Sequence, residues 1–434
     1  MIRNAIVILN WNGKRHLEAF LETLIRSIGQ DPKVSNDGRE AAGERFDQVI
    51  VADSGSEDGS MEYLEEFFPN VVRLPLGKNY GFAGGYNVAL DKVEAEYYIL
   101  MNTDIEVGEG WLEPLVEWME YHDDCGICAP KLLSYNDKAS FEYAGAAGGY
   151  LDRYGFPFCR GRVMGNIEKD EGQYDMPVDV MWATGACMMI RASLFHELSG
   201  FDKGFFAHME EIDLCWRARL LGYKVSVVPR SVVYHIGGGS LPNNSPFKLY
   251  LNYRNNLLML RKNLPQMLAL DYFFNLSAEL EPIDMYSPDP FIGAKSVYDG
   301  NDRVFKAALL KQICTVAQNK ASILIFTRQI IDGLSAIAYL FTGKWKNVKA
   351  VWNAHKDYRK MSANIKTPSL YNWLKSCIND PKFRTAKINL VYDEEADNLG
   401  HGPFKLRGIW SKSIIWQSSF HKKMMFKMID ENVK

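Results

Sequence analysis

Four groups of residues carry side chains that can do chemistry. Asp104 lies in "YYILMNTDIEV" (Tyr97–Val107), three residues past the apolar run Tyr97–Met101. A carboxylate at the end of a buried strand needs a partner. A hard divalent cation, which takes oxygen ligands from carboxylates and phosphates, is one such partner. A helix cap is the plainer one. Glu210, Glu211 and Asp213 place three carboxylates within four residues of "HMEEIDLCWR". Such crowding raises pKa values, which suits one of the acids to accept a proton near neutrality. An acidic first turn facing the helix dipole accounts for the same pattern. His235 ends "VVYH" ahead of "IGGGS", where small residues leave room for a metal or a phosphate at its ring. The loop "GKNYGFAGGYN" lets a ligand approach the backbone closely. It holds neither G-x-G-x-x-G nor G-x-x-x-x-G-K-[ST], so it supports neither a Rossmann dinucleotide site nor a P-loop ATPase.

These residues need elements to position them. "AIVIL" (5–9), "QVIVAD" (48–53), "NVVRLPL" (70–76) and "YYILMNTD" (97–104) predict strands. "HLEAFLETLIRSI", "SMEYLEEFF" and the residues after "GKNYGFAGG" predict helices between them. Alternation of this kind predicts an α/β domain with a mainly parallel sheet, whose ligands sit at the carboxyl ends of the strands. Asn10, Asp53 and Asp104 all fall there. Further on, "WLEPLVEWMEYH" predicts a helix and "SFEYAGAAGGYLDRYGF" predicts strands with tight turns. "VMWATGACMMIRASLFHEL" predicts a strand, a Thr-Gly turn, a second strand and a helix. Residues 277–304, rich in Pro, Asp and Gly, predict a long loop or insertion. "SILIFTRQIIDGLSAIAYLF" is nearly long enough to cross a bilayer, but Arg328 and Asp332 interrupt it. It predicts a helix packed on the core or lying in a membrane interface. The tail "IIWQSSFHKKMMFKM" suits either an anionic membrane surface or a solvated helix.

The 434 residues suffice for two or three domains. A net charge of −3 gives no global field for nucleic acid or another polyanion. Seven scattered cysteines predict reduced thiols rather than a disulfide framework. Cys125 and Cys128 form a C-x-x-C without a second pair at zinc spacing and predict a structural pair. "MIRNAIVILNWNG" has the shape of a first core strand rather than of a signal peptide.

Six motifs stand in order: "VILNWNG", "VIVADSGSEDGS", "LGKNYGFAGGYNVAL", "YYILMNTDIEV", "WATGACMMIRASLF…GFDKGFFAHMEEIDLCWRARLLGY" and "VYHIGGGS". Together they resemble glycosyltransferase family 2, and within it the bacterial rhamnosyltransferase-like members. The resemblance covers roughly residues 3–262. "IIDGLSAIAYLFTGKWKNVKAVWNAHKDY" and "GIWSKSIIWQ" are similar to the C-terminal part of such enzymes. The resemblance implies an α/β protein of the GT-A fold, with a mostly parallel central sheet flanked by helices and a mainly helical C-terminal extension. Residues 1–262 would be the catalytic domain, with a nucleotide half over about 1–108 and an acceptor half over about 109–262. Residues 263–434 would be the extension, with an insertion over about 270–320.

The implied activity is an inverting, metal-dependent sugar transfer. The donor would be a nucleotide-diphosphate sugar (dTDP-rhamnose-like or a UDP-sugar), and the acceptor a glycan or lipid-linked glycan. By this likeness Asp53 binds the base, with Asn10 and Trp11 in the same pocket. The Lys78–Asn87 loop, including Asn79 and Gly81, lies over the nucleotide and diphosphate. Asp104 matches the last acid of a D-x-D motif in which Asn102 replaces the first. Asp104 and His235 would hold Mg²⁺ or Mn²⁺. Glu211 stands where many members have Asp and would be the base, with Asp213 the alternative. Trp182, Thr184, Gly185 and Glu210 fall on the acceptor side. The expected location is the cytoplasm, with peripheral contact at the inner face of the membrane through the C-terminal part. The substitutions at 102 and 211 also admit a non-catalytic sugar-nucleotide or glycan-binding protein on the same scaffold.

Overall fold

The computed structural model describes residues 1–34, 45–163, 165–237, 245–279, 302–365, 369–379 and 409–410. The first four strands are β1 (Ile2–Asn10), β2 (Phe46–Asp53), β3 (Val72–Pro75) and β4 (Ala95–Met101). They run parallel in the order β3-β2-β1-β4. Their residues alternate between two cores. Ala5, Val7, Ile50, Ala52, Tyr98 and Leu100 face one side. Ile6, Ile8, Val49, Val51, Ile99 and Met101 face the other. Both faces are covered, so these strands are apolar without a break, as a parallel sheet requires. The Lys14–Ser27 helix covers the second face with Leu17, Leu21, Leu24 and Ile25. The Gly81–Leu90 helix covers the first with Ala83, Tyr86, Ala89 and Leu90. Each fully buried Leu, Ile or Val among them stabilises the fold by about 1.5–3 kcal/mol.

The sheet continues through β5 (Ile105–Val107), β6 (Cys125–Ser134), β11 (Val178–Asp179), β12 (Cys187–Arg191) and β13 (Lys224–His235). The full order is β3-β2-β1-β4-β12-β6-β13-β11, with β5 paired to β13. β12 runs antiparallel between β4 and β6, while β6 and β13 are parallel. The mixed, mostly parallel sheet therefore reverses its winding between β1 and β4, and the crevice for a ligand opens beyond their carboxyl ends. A second, small sheet holds β7 (Gly149–Asp152), β8 (Pro157–Cys159), β9 (Arg162–Val163), β10 (Asn166–Ile167) and β14 (Ile409–Trp410).

The C-terminal part is helical: Pro246–Glu279, Asp302–Phe341, Trp345–Ser362 and Leu370–Asn379. The expected boundary at residue 262 falls inside the first of these helices. The expected loop over 277–304 overlaps helix at both ends, and Pro265 is accommodated within the first helix. Residues 280–301 and the basic tail lie outside the described residues. All seven cysteines are buried free thiols, Cys125 and Cys128 included.

Candidate active site

A cavity of about 570 Å³ opens at the carboxyl ends of β1, β4 and β13. Topology brings its polar walls together. β4 ends at Met101, earlier than the apolar run and "NTD" suggested, because Asn102 turns to donate its N–H to the Ala186 carbonyl at 2.9 Å. That bond places the Thr184–Ala186 turn beside Asn102. Antiparallel pairing of His235 with Ile105 sets His235 beside Asp104, and the Ile236 N–H donates to the Asp104 carbonyl at 3.2 Å. Asn102, Asp104, Thr184, Gly185, Glu210, Glu211, His235, Trp11, Asn79 and Gly81 all line the cavity.

Five expected residues do not. Asp53 is buried, and both its carboxylate oxygens are engaged. Oδ1 accepts from Asn10 Nδ2 at 2.8 Å and Ser56 Oγ at 2.6 Å; Oδ2 accepts from the Gly55 and Ser56 amides at 3.0 and 2.9 Å. Asp53 and Asn10 thus shape the loop behind Trp11 rather than reach the cavity. Lys78 stands over the Tyr80 ring at 4.9 Å. Trp182 is buried, with its indole N–H on the Tyr150 carbonyl at 3.0 Å. Asp213 is fully buried and pairs with Arg217 Nε at 2.7 Å, Lys262 Nζ at 3.3 Å and Asn263 Nδ2 at 2.8 Å. Burial alone would push its carboxyl up, but Arg217 and Lys262 outweigh this and hold it below the usual range. Asp213 therefore ties the Glu210–Leu220 helix to the Pro246–Glu279 helix, and the expectation of a base there does not fit this geometry.

Glu210 and Glu211 differ from it. Neither Oε2 has a hydrogen-bond partner among the described residues. Burial, with Glu211 as neighbour, pushes Glu210 well up. Burial raises Glu211 to about 7 against three backbone hydrogen bonds that favour the anion. A raised carboxyl with an unpartnered oxygen on a cavity wall is a candidate proton acceptor.

The loop that presents these acids is strained. Phe206, His208 and Met209 all take left-handed φ, at 67°, 68° and 73°. Non-glycine residues there cost about 1–3 kcal/mol each and persist only when neighbours over-determine them. Asn255 does so: its side-chain N–H groups donate to the carbonyls of Phe205, Ala207 and His208 at 3.0, 2.8 and 2.7 Å. Arg254 holds the carbonyls of Gly204 and Phe205 at 3.1 and 3.0 Å. Gly81, itself at φ 73°, packs so closely that a Cβ would lie 2.6 Å from the Phe206 carbonyl oxygen.

His235 lies between two carboxylates. Its Nε2 is 3.2 Å from Asp104 Oδ1, and its Nδ1 is 3.4 Å from Glu142 Oε1. The second approach lies at the outer limit of hydrogen-bond distance, so Glu142 is placed to take the Nδ1 proton with a small adjustment. Burial would lower the imidazole, but Asp104 and Glu142 outweigh it and raise it to about 10. Once the imidazole gives up its Nε2 proton, a carboxylate oxygen and an imidazole nitrogen at this spacing, both opening on one cavity, would fit a divalent cation of the Mn²⁺ or Mg²⁺ kind. No group of three or more protein ligands occurs among the described residues, so a cation held here would need phosphate oxygens or waters to complete its shell.

Glu142, His208 and Asn255 escaped the sequence reading. Glu142 sits in a Gly- and Tyr-rich segment without helical or strand period. Asn255 is a lone amide in a long helix. His208 lies two residues before Glu210, and its position was the one available signal. It lines the cavity, and burial with Lys248 nearby lowers it to about 4, leaving a neutral ring.

The switch-point crevice, the acid-bearing helix and the carboxylate–imidazole pair define a GT-A-type glycosyltransferase. Comparison with known proteins agrees. A model described as "Glycosyl transferase family 2" matches residues 5–199, and over that stretch the chain is similar to family 2 glycosyltransferases. An N-acetylglucosaminyl-diphospho-decaprenol L-rhamnosyltransferase of Mycobacterium tuberculosis is 26% identical over 271 residues, 59% of this chain and 83% of the relative. Rhamnosyltransferase WbbL of Escherichia coli is 30% identical over 168 residues, 37% of this chain and 62% of its own. Among solved structures, mannosyltransferase PcManGT from Pyrobaculum calidifontis, in complex with GDP-Man and Mn²⁺, aligns with a TM-score of 0.41 at 14% identity. The alignment covers 90% of this chain and 88% of that one. That likeness is distant, and the fold assignment rests on the strand order and the family match.

Proposed function

We propose that the chain transfers a deoxyhexose, rhamnose first among candidates, from a nucleotide-diphosphate donor to a hydroxyl of a glycan or lipid-linked glycan, with inversion at the anomeric carbon. The names of the rhamnosyltransferase relatives, and of a Shigella flexneri dTDP-rhamnosyl transferase 25% identical over 238 residues, support the donor. The observation that carries the reading is Glu211: a raised carboxyl with an unpartnered oxygen, on the same cavity as the Asp104–His235 pair.

Glu211 accepts the proton of the acceptor hydroxyl as that oxygen bonds to the anomeric carbon and the bond to the diphosphate breaks. Glu210, kept neutral by its neighbour and its burial, donates a hydrogen bond rather than a second negative charge. Asp213 anchors the helix under both. Trp11, half-exposed at the cavity edge, offers a flat face to the base, and the Asn79–Gly81 turn lies where the phosphates would pass. Asp104 and His235 would hold Mg²⁺ or Mn²⁺, with Asn102 able to add only a neutral oxygen. When bound, the ion supplies charge neutralisation to the diphosphate leaving group.

Purified protein offered a panel of nucleotide sugars, with and without chelator, is the direct test. Release of the nucleotide with transfer to an acceptor, greatest with dTDP-rhamnose and lost with chelator, is the expected result. Donor binding without turnover across the whole panel would instead establish a binding protein.

Glu142 gives a second expectation. A metal-bound histidine gives its other ring N–H to a carboxylate, which orients it. Glu142→Leu should weaken Mn²⁺ binding by about 10–100-fold in calorimetric titration. Glu142→Gln, which keeps an acceptor oxygen, should recover part of the loss. Equal affinity in all three proteins would remove Glu142 from this role.

A further inference from the structure

We infer that the Asp302–Phe341 and Trp345–Ser362 helices form a face that lies in the headgroup plane of an anionic bilayer. The Ala307–Phe341 stretch is long and apolar enough to cross a membrane, yet only 22% of its most apolar window is buried. The two sides of the helix differ. On the protein side Arg328 and Asp332 pair at 2.7 Å, Arg328 stacks 3.7 Å above the Phe156 ring, and its Nη1 donates to the Tyr154 carbonyl at 3.0 Å. Asp332 also meets His355 at 3.2 Å. Charges committed to protein partners in this way hold the helix against the domain, so it cannot span.

The other side is apolar and bare. Ile323, Phe326, Ile330, Leu334, Ile337 and Phe341 are 50–86% exposed and recur at three- and four-residue steps. A contiguous exposed apolar stripe of this kind marks an interaction surface. What covers it is indicated by its border. Trp345 and Trp352, 67% and 73% exposed, follow at its end. Lys344, Lys346, Lys349, Lys356, Arg359 and Lys360 are exposed on the same adjoining helix. From Ser322 to Lys356 the sole acid is the buried Asp332. Apolar stripe, interfacial tryptophans and a basic rim together match an anionic lipid surface rather than the mixed charges of a protein partner. The face also communicates with the cavity: Asp357 accepts from Tyr250 Oη at 2.7 Å, one turn from the Arg254 and Asn255 that hold the Phe206 loop.

The test needs neither donor nor acceptor, so its failure is separable from that of the sugar-transfer reading. The full chain is floated with vesicles of phosphatidylglycerol mixed with phosphatidylcholine, and with phosphatidylcholine alone. Binding to the mixed vesicles and weak binding to the neutral ones is expected. Phe326→Glu/Ile330→Glu, and separately Lys344→Glu/Lys346→Glu/Lys349→Glu, should each weaken it by about tenfold or more, since each basic residue near such a surface contributes about 1 kcal/mol. These side chains are exposed, so thermal melting and turnover with a soluble acceptor should stay at wild-type values. Wild-type vesicle binding by both variants would overturn the inference. So would a dimer in light scattering that the Phe326→Glu/Ile330→Glu protein dissolves, with no vesicle binding in the parent.

Discussion

Glu211→Gln is expected to lower the rate of sugar transfer by about 10²–10⁴-fold while the protein still binds its donor. Glutamine keeps the shape and the cavity wall but cannot take a proton. The residues proposed to face the donor, Trp11, Asn79, Asp104 and His235, are untouched, so nucleotide affinity in a fluorescence or calorimetric titration should hold. The pH profile gives the sharper readout. Burial raises the Glu211 carboxyl to about 7. Below that pH the group is protonated and cannot act as a base, so the wild-type rate should fall about tenfold per unit as pH drops and level off above it. The residual rate of Glu211→Gln should lack this limb. A variant that keeps both the rate and the limb would assign the proton to another group.

Asn255→Leu should cost about 100-fold in kcat/KM with a modest fall in Tm. The side chain lies far from any reacting atom in sequence terms and is fully buried in the Pro246–Glu279 helix. Leucine fills the same space and donates nothing. The carbonyls of Phe205, Ala207 and His208 would lose their shared donor, at about 1–3 kcal/mol for each buried acceptor left bare. The left-handed residues would then relax, and with them the start of the acid-bearing helix. A displacement of about 1 Å at a reacting group is enough for a hundredfold loss. A fall in Tm with unchanged kcat/KM would show that Arg254 and Gly81 hold the loop without Asn255.

Much of the sheet was legible because its chemistry is local. β1, β2 and β4 are unbroken apolar runs for the physical reason that both faces are covered, and the residues after them are polar because the crevice opens there. Which of those polar residues lines the cavity was not legible. Asp53 and Asp104 look alike in sequence, each an acid at the end of a strand. Asp53 is followed by Gly55 and Ser56, whose amides fold back onto it; Asp104 is met by His235 from a distant strand. Asp213 carried a usable signal, since Arg217 stands four residues on, the spacing of a helical ion pair. Its other partners, Lys262 and Asn263, come from another helix. Glu142 and Asn255 act only through the folded arrangement, and no spacing announces either.

The helix from Pro246 to Glu279 bears on modularity. It supplies Arg254 and Asn255 to the strained loop, and Lys262 and Asn263 to Asp213. A cut after residue 262 would leave Lys262 on one side and Asn263 on the other, in the middle of a turn. The sheet and the helical layer are therefore not interchangeable cassettes. A chimaera that grafts another extension onto this sheet must bring its own amide and its own cation to the same two places.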